Sequence, residues 1–417
     1  MKLLDIKIEI NGNMVKVGEL LGNSYLDAQF KYDDSYLDDT KNRPISISLP
    51  LKRELFSSIE THNFFDGLLP EGFTRINYTN TANLHIEDYV SILKLIGSEC
   101  IGALSISSND ESMDSYYKKI SDDEFNKLSK EGVFASNDFN NISHLSLAGA
   151  SGKVGLYFNN YDWYLPIGNM PSTHIVKQSH VRFNDIVFNE LLCTKTAKNL
   201  GINTIESNFI PNYCDLFYSK RFDRVIDSTC KLIDGHIIPK RLHQEDFAQC
   251  LSISSADKYE NNINNKYFKL IFDLINNYSH DPINDKLELW DRIFFNYIIG
   301  NNDGHLKNYS FVYSSDLQSR VLSPAYDLVC TMVYNTINDK LAFSIGDAIF
   351  HKDVTSDSFK EEAKKIGLSK IAMERIDYIN SNINSAINKA YDEINLFDRN
   401  TEELYNSICD IINHNRF

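Results

Sequence analysis

The chain has 417 residues, of which 42% are hydrophobic and 24% charged, and its formal net charge is −15. That length is large for one core and predicts two or three packed lobes. Such acidity excludes nucleic-acid binding through overall attraction to phosphate, so DNA contact is expected mostly indirectly, through a partner.

Seven cysteines, Cys100, Cys193, Cys214, Cys230, Cys250, Cys330 and Cys409, include no C-x-x-C pair. An odd count without such spacing argues against a disulfide framework or a zinc site and fits reduced thiols. Met1 to Glu9 alternates apolar and polar residues, without the continuous apolar stretch of a signal peptide, and no apolar run is long enough to span a membrane. The expected setting is cytoplasmic, with no membrane association.

Leu4 to Ile10 reads as a strand, Asn11-Gly12-Asn13 as a turn, and Met14 to Leu20 as a returning strand. Pro44 to Leu49 repeats the two-residue period and predicts another strand. Residues 86–98 shift to helical spacing. Ser121-Asp122-Asp123-Glu124 is a capping box opening a helix to about Ser129. The polar stretch Gly132 to Asn141 marks a boundary. Beyond it come strands at Val154 to Phe158, Trp163 to Ile167 and Thr173 to Lys177, then a helix from Asn184 to Leu200 closed by Gly201. Strands near 205–211 and 214–219 follow. From about residue 243 the pattern is mainly helical, at Tyr267 to Ile275, Leu287 to Ile299, Ile371 to Tyr391 and Glu402 to Ile412. Strand-like pieces at Tyr309 to Ser314 and Val321 to Asp327 interrupt it. The expectation is an α+β fold: a mixed α/β N-terminal region with small antiparallel sheets, then a mainly helical C-terminal lobe, in a two-lobed kinase-like architecture. The segments expected are 1–140, 141–242 and 243–417.

The most informative segment is Gly300-Asn301-Asn302-Asp303-Gly304-His305-Leu306-Lys307-Asn308. Four residues separate Asp303 from Asn308, the D-x-x-x-x-N spacing of a kinase catalytic loop. Phosphoryl transfer needs a carboxylate to orient an attacking hydroxyl and a neutral oxygen to hold Mg²⁺ on the phosphates. Alone, the spacing equally suits a solvated loop, because Asn, Asp and Gly favour turns. Nineteen residues after Asn308, Asp327 supplies a second carboxylate after a short strand, in Ser323-Pro324-Ala325-Tyr326-Asp327. No Phe-Gly follows it. Lys177 ends an apolar strand, where a charge is costly without an anionic partner. Phosphate, or Glu190 on the next helix, could fill that role, and a snorkelling edge lysine is the plain alternative. Ser146 to Lys153 is rich in small residues that let backbone N–H groups approach phosphate. It is not a Walker A loop, since Leu147 and Val154 stand where that motif needs Gly and Ser/Thr. His305 either touches phosphate or braces the loop.

Seven segments in order resemble the HipA family of bacterial toxin serine/threonine kinases, in its unsplit form. They are Ile45 to Leu51 with Asn63 to Pro70, Leu145 to Ala150, Thr173 to Lys177 with Asn189-Glu190, Arg221 to Arg224, His243 to Asp246, Gly300 to Ser310, and Pro324 to Asp327. The resemblance implies an ATP- and Mg²⁺-dependent protein kinase with Asp303 as catalytic base and Asn308 and Asp327 as metal ligands. It implies nucleotide contacts at Ala148, Gly149, Ala150, Ser151, Gly152, Lys153, Lys177, His305, Lys307 and Tyr326. The hinge at Lys220, Arg221 and Phe222 would meet adenine through its backbone. Lys220 departs from the family's acidic residue and Ser151-Gly152 from its usual loop. Ser146 matches an autophosphorylated serine. Implied partners are a protein substrate of translation and a small DNA-binding antitoxin. The alternatives are a nucleotide-binding transcriptional co-repressor with weak catalysis and a small-molecule kinase.

Overall fold

A computed structural model describes the chain except residues 109–113, 133–134, 137–138, 140–146, 148–151, 180–182, 262–265, 335–338 and 396–400. The chain divides into two compact units. The first comprises Met1–Gln178, Tyr218–Ser255 and Phe311–Arg320; the second comprises Ser179–Phe217, Ala256–Ser310 and Val321–Phe417.

In the first unit, β1 (Lys2–Ile10) and β2 (Asn13–Leu21) form the expected hairpin, with Ile10 opposite Asn13. With β3 (Gln29–Tyr32) and β4 (Leu104–Ser107) they make an antiparallel sheet of order β3-β2-β1-β4. Its core face carries Leu4, Ile6, Ile8, Leu20 and Phe30, all buried. Gly18 lets β3 approach, since a Cβ there would lie 2.1 Å from the carbonyl oxygen of Lys31. Pro44 to Leu49 is not a strand; only an isolated bridge joins Ser46 to Leu49. The Ser46 hydroxyl donates to Glu245 (2.7 Å) and the Ile47 N–H to the same carboxylate (3.3 Å), so buried hydrogen bonds rather than a strand ladder account for the alternation. The capping box at Ser121 and Glu124 opens the helix Asp122–Glu131 as expected.

A second antiparallel set in this unit has the order β5-β7-β6-β8, from β5 (Tyr116–Lys119), β6 (Lys153–Asn159), β7 (Asp162–Ile167) and β8 (His174–Gln178). The same unit holds a fully buried ionic cluster. Arg221 pairs with Asp223 (2.7 Å) and Glu99 (3.2 Å), and Arg224 with Glu99 (2.8 Å) and Asp223 (3.0 Å).

In the second unit, β9 (Ser207–Ile210) and the first part of β10 (Tyr213–Lys220) follow the helix Ile186–Asn199. That helix packs on the helix Ser369–Asn395, with an Asn199 side-chain bond to the carbonyl of Ala386 (3.2 Å). The helix Pro282–Ile298 threads the core; Trp290 is buried and its Nε1–H donates to the carbonyl of Ala372 (2.9 Å). The expected strand over Val321 to Asp327 is shorter, at Arg320–Leu322, because the residues after it take other partners. The α+β class with small antiparallel sheets is the observed one. No helix among the described residues is long and apolar enough to cross a membrane.

Two predictions follow from the first unit. Arg221→Ala leaves Asp223 and Glu99 buried with half their cationic partners and should cost about 3–5 kcal/mol in urea unfolding. His243 is fully buried and its Nε2 sits 2.7 Å from the carbonyl oxygen of Ile45. Burial pushes its pKa down to about 4 from 6.5. The unfolded chain binds that proton first, so His243's share of stability is complete above pH 6.5 and is lost as pH falls towards 4. The slope is about 1.4 kcal/mol per pH unit. In His243→Gln, urea midpoints measured across that window should be flatter with pH than in the wild type.

Candidate active site

The site is built where the helix Pro282–Ile298 ends. Asp281 caps it and Pro282 opens it, a combination suited to a helix start. At the far end Gly300 adopts φ +69°, and a Cβ there would come within 2.9 Å of Ile411 Cγ2 and Met332 Sδ. Only glycine serves this reversal.

The polar run after Gly300 is buried except at one residue. Asn301, Asn302, Gly304, His305, Leu306 and Lys307 are all buried, while Asp303 is exposed. The buried backbone is satisfied by side chains from within the unit, as burial demands. Asn301 Nδ2 donates to Asn296 Oδ1 (3.0 Å), and Asn301 Oδ1 accepts the Asp303 N–H (3.0 Å). The Asn302 N–H donates to Thr331 Oγ1 (2.8 Å), whose own hydroxyl donates to the Gly300 carbonyl (3.1 Å). The carbonyl of Asp303 accepts from the His305 N–H (2.8 Å) and from Asn308 Nδ2 (2.8 Å). Main chain on both sides of Asp303 is therefore pinned and its carboxylate faces outward. Tyr259 Oη donates a hydrogen bond to Asp303 Oδ1.

Asp327 is brought to the same assembly. Tyr326 Oη donates to the carbonyl of Lys307 (2.9 Å) and lies 2.5 Å from Ser310 Oγ. Ala325 exchanges backbone bonds with Asn203 (2.7 Å) and Ile205 (3.1 Å). Asp327 itself takes φ +59°, a left-handed conformation that Asp tolerates better than most residues. Three residues on, the side chain of Asn189 grips Cys330 twice, donating to its carbonyl (2.9 Å) and accepting its N–H (2.8 Å).

The donor set suits Mg²⁺. Asn308 spends its amide N–H on Asp303, which leaves its side-chain oxygen as acceptor, and Asp327 adds a carboxylate; both are hard oxygen donors. Among the described residues no group of three or more His, Cys, Asp or Glu could hold a metal by itself.

Thus Asp303, His305, Lys307, Asn308 and Tyr326 form one hydrogen-bonded assembly in the second unit, with Asp327 next to Tyr326 in the chain and Glu190 buried in the same unit. Lys153 and Lys177 belong to the first unit and stand directly opposite each other on β6 and β8, Lys177 buried. Lys220 is exposed, and the Arg221 N–H donates to the carbonyl of Thr173 (2.9 Å) while its guanidinium is held in the ionic cluster. Phe222 is half-buried and Gly152 buried. Ser146, Ala148, Gly149, Ala150 and Ser151 lie outside the described residues. Motif spacing does not reveal Asn189, Asn296, Asn301, Thr331 or Tyr259 as parts of the site. A signal for two of them is present, since Asn189 and Asn296 are polar residues on buried helix faces.

Comparison with known proteins places the chain in a family. Residues 145–387 match the HipA-like C-terminal domain and residues 8–107 the HipA N-terminal domain. A putative kinase of Sinorhizobium fredii, Y4mE, is 30% identical over 363 residues, covering 84% of each chain. The serine/threonine-protein kinase toxin HipA of Shewanella oneidensis is 26% identical over 318 residues, covering 73% of this chain and 70% of that one. A solved complex of Shewanella oneidensis HipA with HipB and operator DNA superposes with TM-score 0.79 at 21% identity, over 99% of this chain and 95% of that one. Matches and loop together define the class, a protein serine/threonine kinase. The chain belongs to the HipA family.

Thr331→Val removes the hydroxyl that serves both the Asn302 N–H and the Gly300 carbonyl. It should lower stability by about 1–3 kcal/mol, read from urea denaturation.

Proposed function

We propose that this chain is the kinase toxin of a toxin–antitoxin pair, transferring the γ-phosphate of ATP to a Ser or Thr of a protein of translation and to its own Ser146. The observation that carries this is the single exposed carboxylate, Asp303, on a loop whose flanking residues are buried and pinned. A general base must be reachable by the acceptor yet fixed in place, and this arrangement meets both conditions. In this reading Asp303 orients the acceptor hydroxyl and takes its proton. Asp327 and Asn308 hold Mg²⁺, which would neutralise charge on the nucleotide phosphates. Lys177 and Lys153 hold phosphate oxygens, assisted by His305 and Lys307. Residues 148–153 wrap the phosphates, and the backbone of residues 220–222 meets adenine. The segments 1–140, 141–242 and 243–417 act as N-terminal, nucleotide-binding and catalytic parts.

Phosphorylation of Ser146 adds roughly −1.5 to −2 charge at the base of a loop meant for ATP phosphates. That charge displaces the loop and switches the kinase off. The partner is a small DNA-binding antitoxin, as HipB accompanies HipA in the Shewanella complex. With a net charge of −15, this chain reaches DNA mostly through that partner. Its setting is cytoplasmic.

The test is intact-protein and peptide mass spectrometry after incubation with ATP and Mg²⁺. Wild-type protein should carry phosphate on Ser146, and Asp303→Gln should lose at least about 10²-fold in transfer rate, the contribution of a positioned general base. Undiminished transfer in Asp303→Gln would falsify the assignment.

A further inference from the structure

Tyr259 is far from the catalytic loop in sequence, yet its hydroxyl donates to the carboxylate of Asp303. Its position is set from both sides. The carbonyl of Lys258 accepts the Leu306 N–H (3.3 Å), and the Glu260 N–H donates to the carbonyl of Ala342 (2.8 Å). The carboxylate of Glu260 accepts in turn from Ser344 Oγ (2.6 Å) and the Tyr267 N–H (2.9 Å). The ring stands edge-on to His305, with centroids 5.0 Å apart and planes at 84°. A phenol is thus delivered to the base by main chain that is anchored immediately before and after it. The pair lies at the exposed surface, where an incoming substrate can reach it.

A phenolic O–H offers the base the same group that a Ser or Thr acceptor offers, one hydroxyl proton within hydrogen-bond reach. We propose that Tyr259 Oη stands in for the acceptor: it occupies the acceptor-hydroxyl subsite in the resting chain, and a substrate Ser or Thr must displace it from Asp303. The inference rests on the kinase reading above. Two consequences follow. While the phenol is in place it takes Asp303 Oδ1, so a water competes with it for the base and ATP hydrolysis without an acceptor is slowed. An acceptor also binds only by outcompeting an internal hydrogen bond, which raises its KM and selects substrates with further contacts to offer.

Tyr259→Phe tests this, because it keeps the ring against His305 and removes only the hydroxyl. Two probes are used with ATP and Mg²⁺: a synthetic peptide copying residues 141–151 as acceptor, and water as acceptor, followed as ATP hydrolysis without peptide. In the variant, hydrolysis should rise roughly 3- to 10-fold and peptide KM should fall by a similar factor, the size of one competing hydrogen bond. Where the peptide is a poor acceptor, the hydrolysis rate decides alone. If the wild type transfers phosphate but Tyr259→Phe leaves KM and hydrolysis unchanged, or lowers kcat alone, Tyr259 is only a brace and the inference fails. A wild type that neither phosphorylates Ser146 or the peptide nor hydrolyses ATP overturns the kinase reading, and this inference with it.

Discussion

A helix that ends inside a protein must find partners for its last carbonyls and for the chain that leaves it. The helix Pro282–Ile298 meets that constraint with neutral side chains. Asn296, near its own C-terminus, holds Asn301; Asn301 holds the N–H of Asp303; Thr331 holds the carbonyl of Gly300 and the N–H of Asn302. Each buried group left unpaired would cost about 1–3 kcal/mol. Asparagine suits the task because one side chain both donates and accepts without carrying a charge that burial would penalise. The loop's one carboxylate, Asp303, is the one member that faces out. The loop's one exposed charge and the polarity that satisfies its buried backbone are thus assigned to different residues.

The first unit resolves the opposite problem, charge that is buried. Arg221, Arg224, Asp223 and Glu99 sit together with two positive and two negative groups, and each ion has more than one partner. Cationic neighbours hold the Asp223 carboxyl well below the usual carboxylate range against the opposing effect of burial. The Gly102 N–H adds a bond to Asp223 (2.7 Å), in a backbone conformation, φ +77°, that suits glycine. A cluster of this kind is a weak source of net stability but an exacting one, since removing one member strands the others. It fixes residues 221–224 immediately after Lys220. The guanidinium of Arg221 is engaged there, and Phe222 beside it in the chain is half-buried.

Local signals made much of the fold legible. The hairpin β1–β2, the capping box at Ser121, the helix stopped by Gly201 and the long C-terminal helices all follow from periodicity and end chemistry that act over a few residues. The helix Ser58–Phe65 carries the same kind of signal, a capping box of Ser57 and Glu60 before an apolar stretch. Pro44 to Leu49 shows where local reading fails. Its alternation reflects a buried carboxylate from Glu245, a residue far along the chain that takes bonds from Ser46 and Ile47. Of the candidate site, Asp303, Asn308 and Asp327 can be picked out from the sequence because the expected chemistry asks for their type and spacing. Tyr259 cannot, because its link to Asp303 is made by tertiary packing and leaves no spacing in the sequence. Asn189 is intermediate: its place on a buried helix face is readable, but its grip on Cys330 is not.

The backbone around Asp327 bears on how such an enzyme can be controlled. In a loop that switches by rotating a metal-binding carboxylate, the flanking residues must be free to exchange places. Here Tyr326 is bound to Lys307 and Ser310 on one side, and Cys330 to both ends of the Asn189 amide on the other. Ala325 is paired with Asn203 and Ile205 as well. Turning Asp327 out of its left-handed conformation would break several of these bonds together inside a buried region, with no Phe-Gly to refill the space. The carboxylate is therefore better described as part of a fixed frame than as a moving part. Control is left to groups at the edge of that frame, where a hydrogen bond can be exchanged for a substrate's or a charge added without unmaking the core.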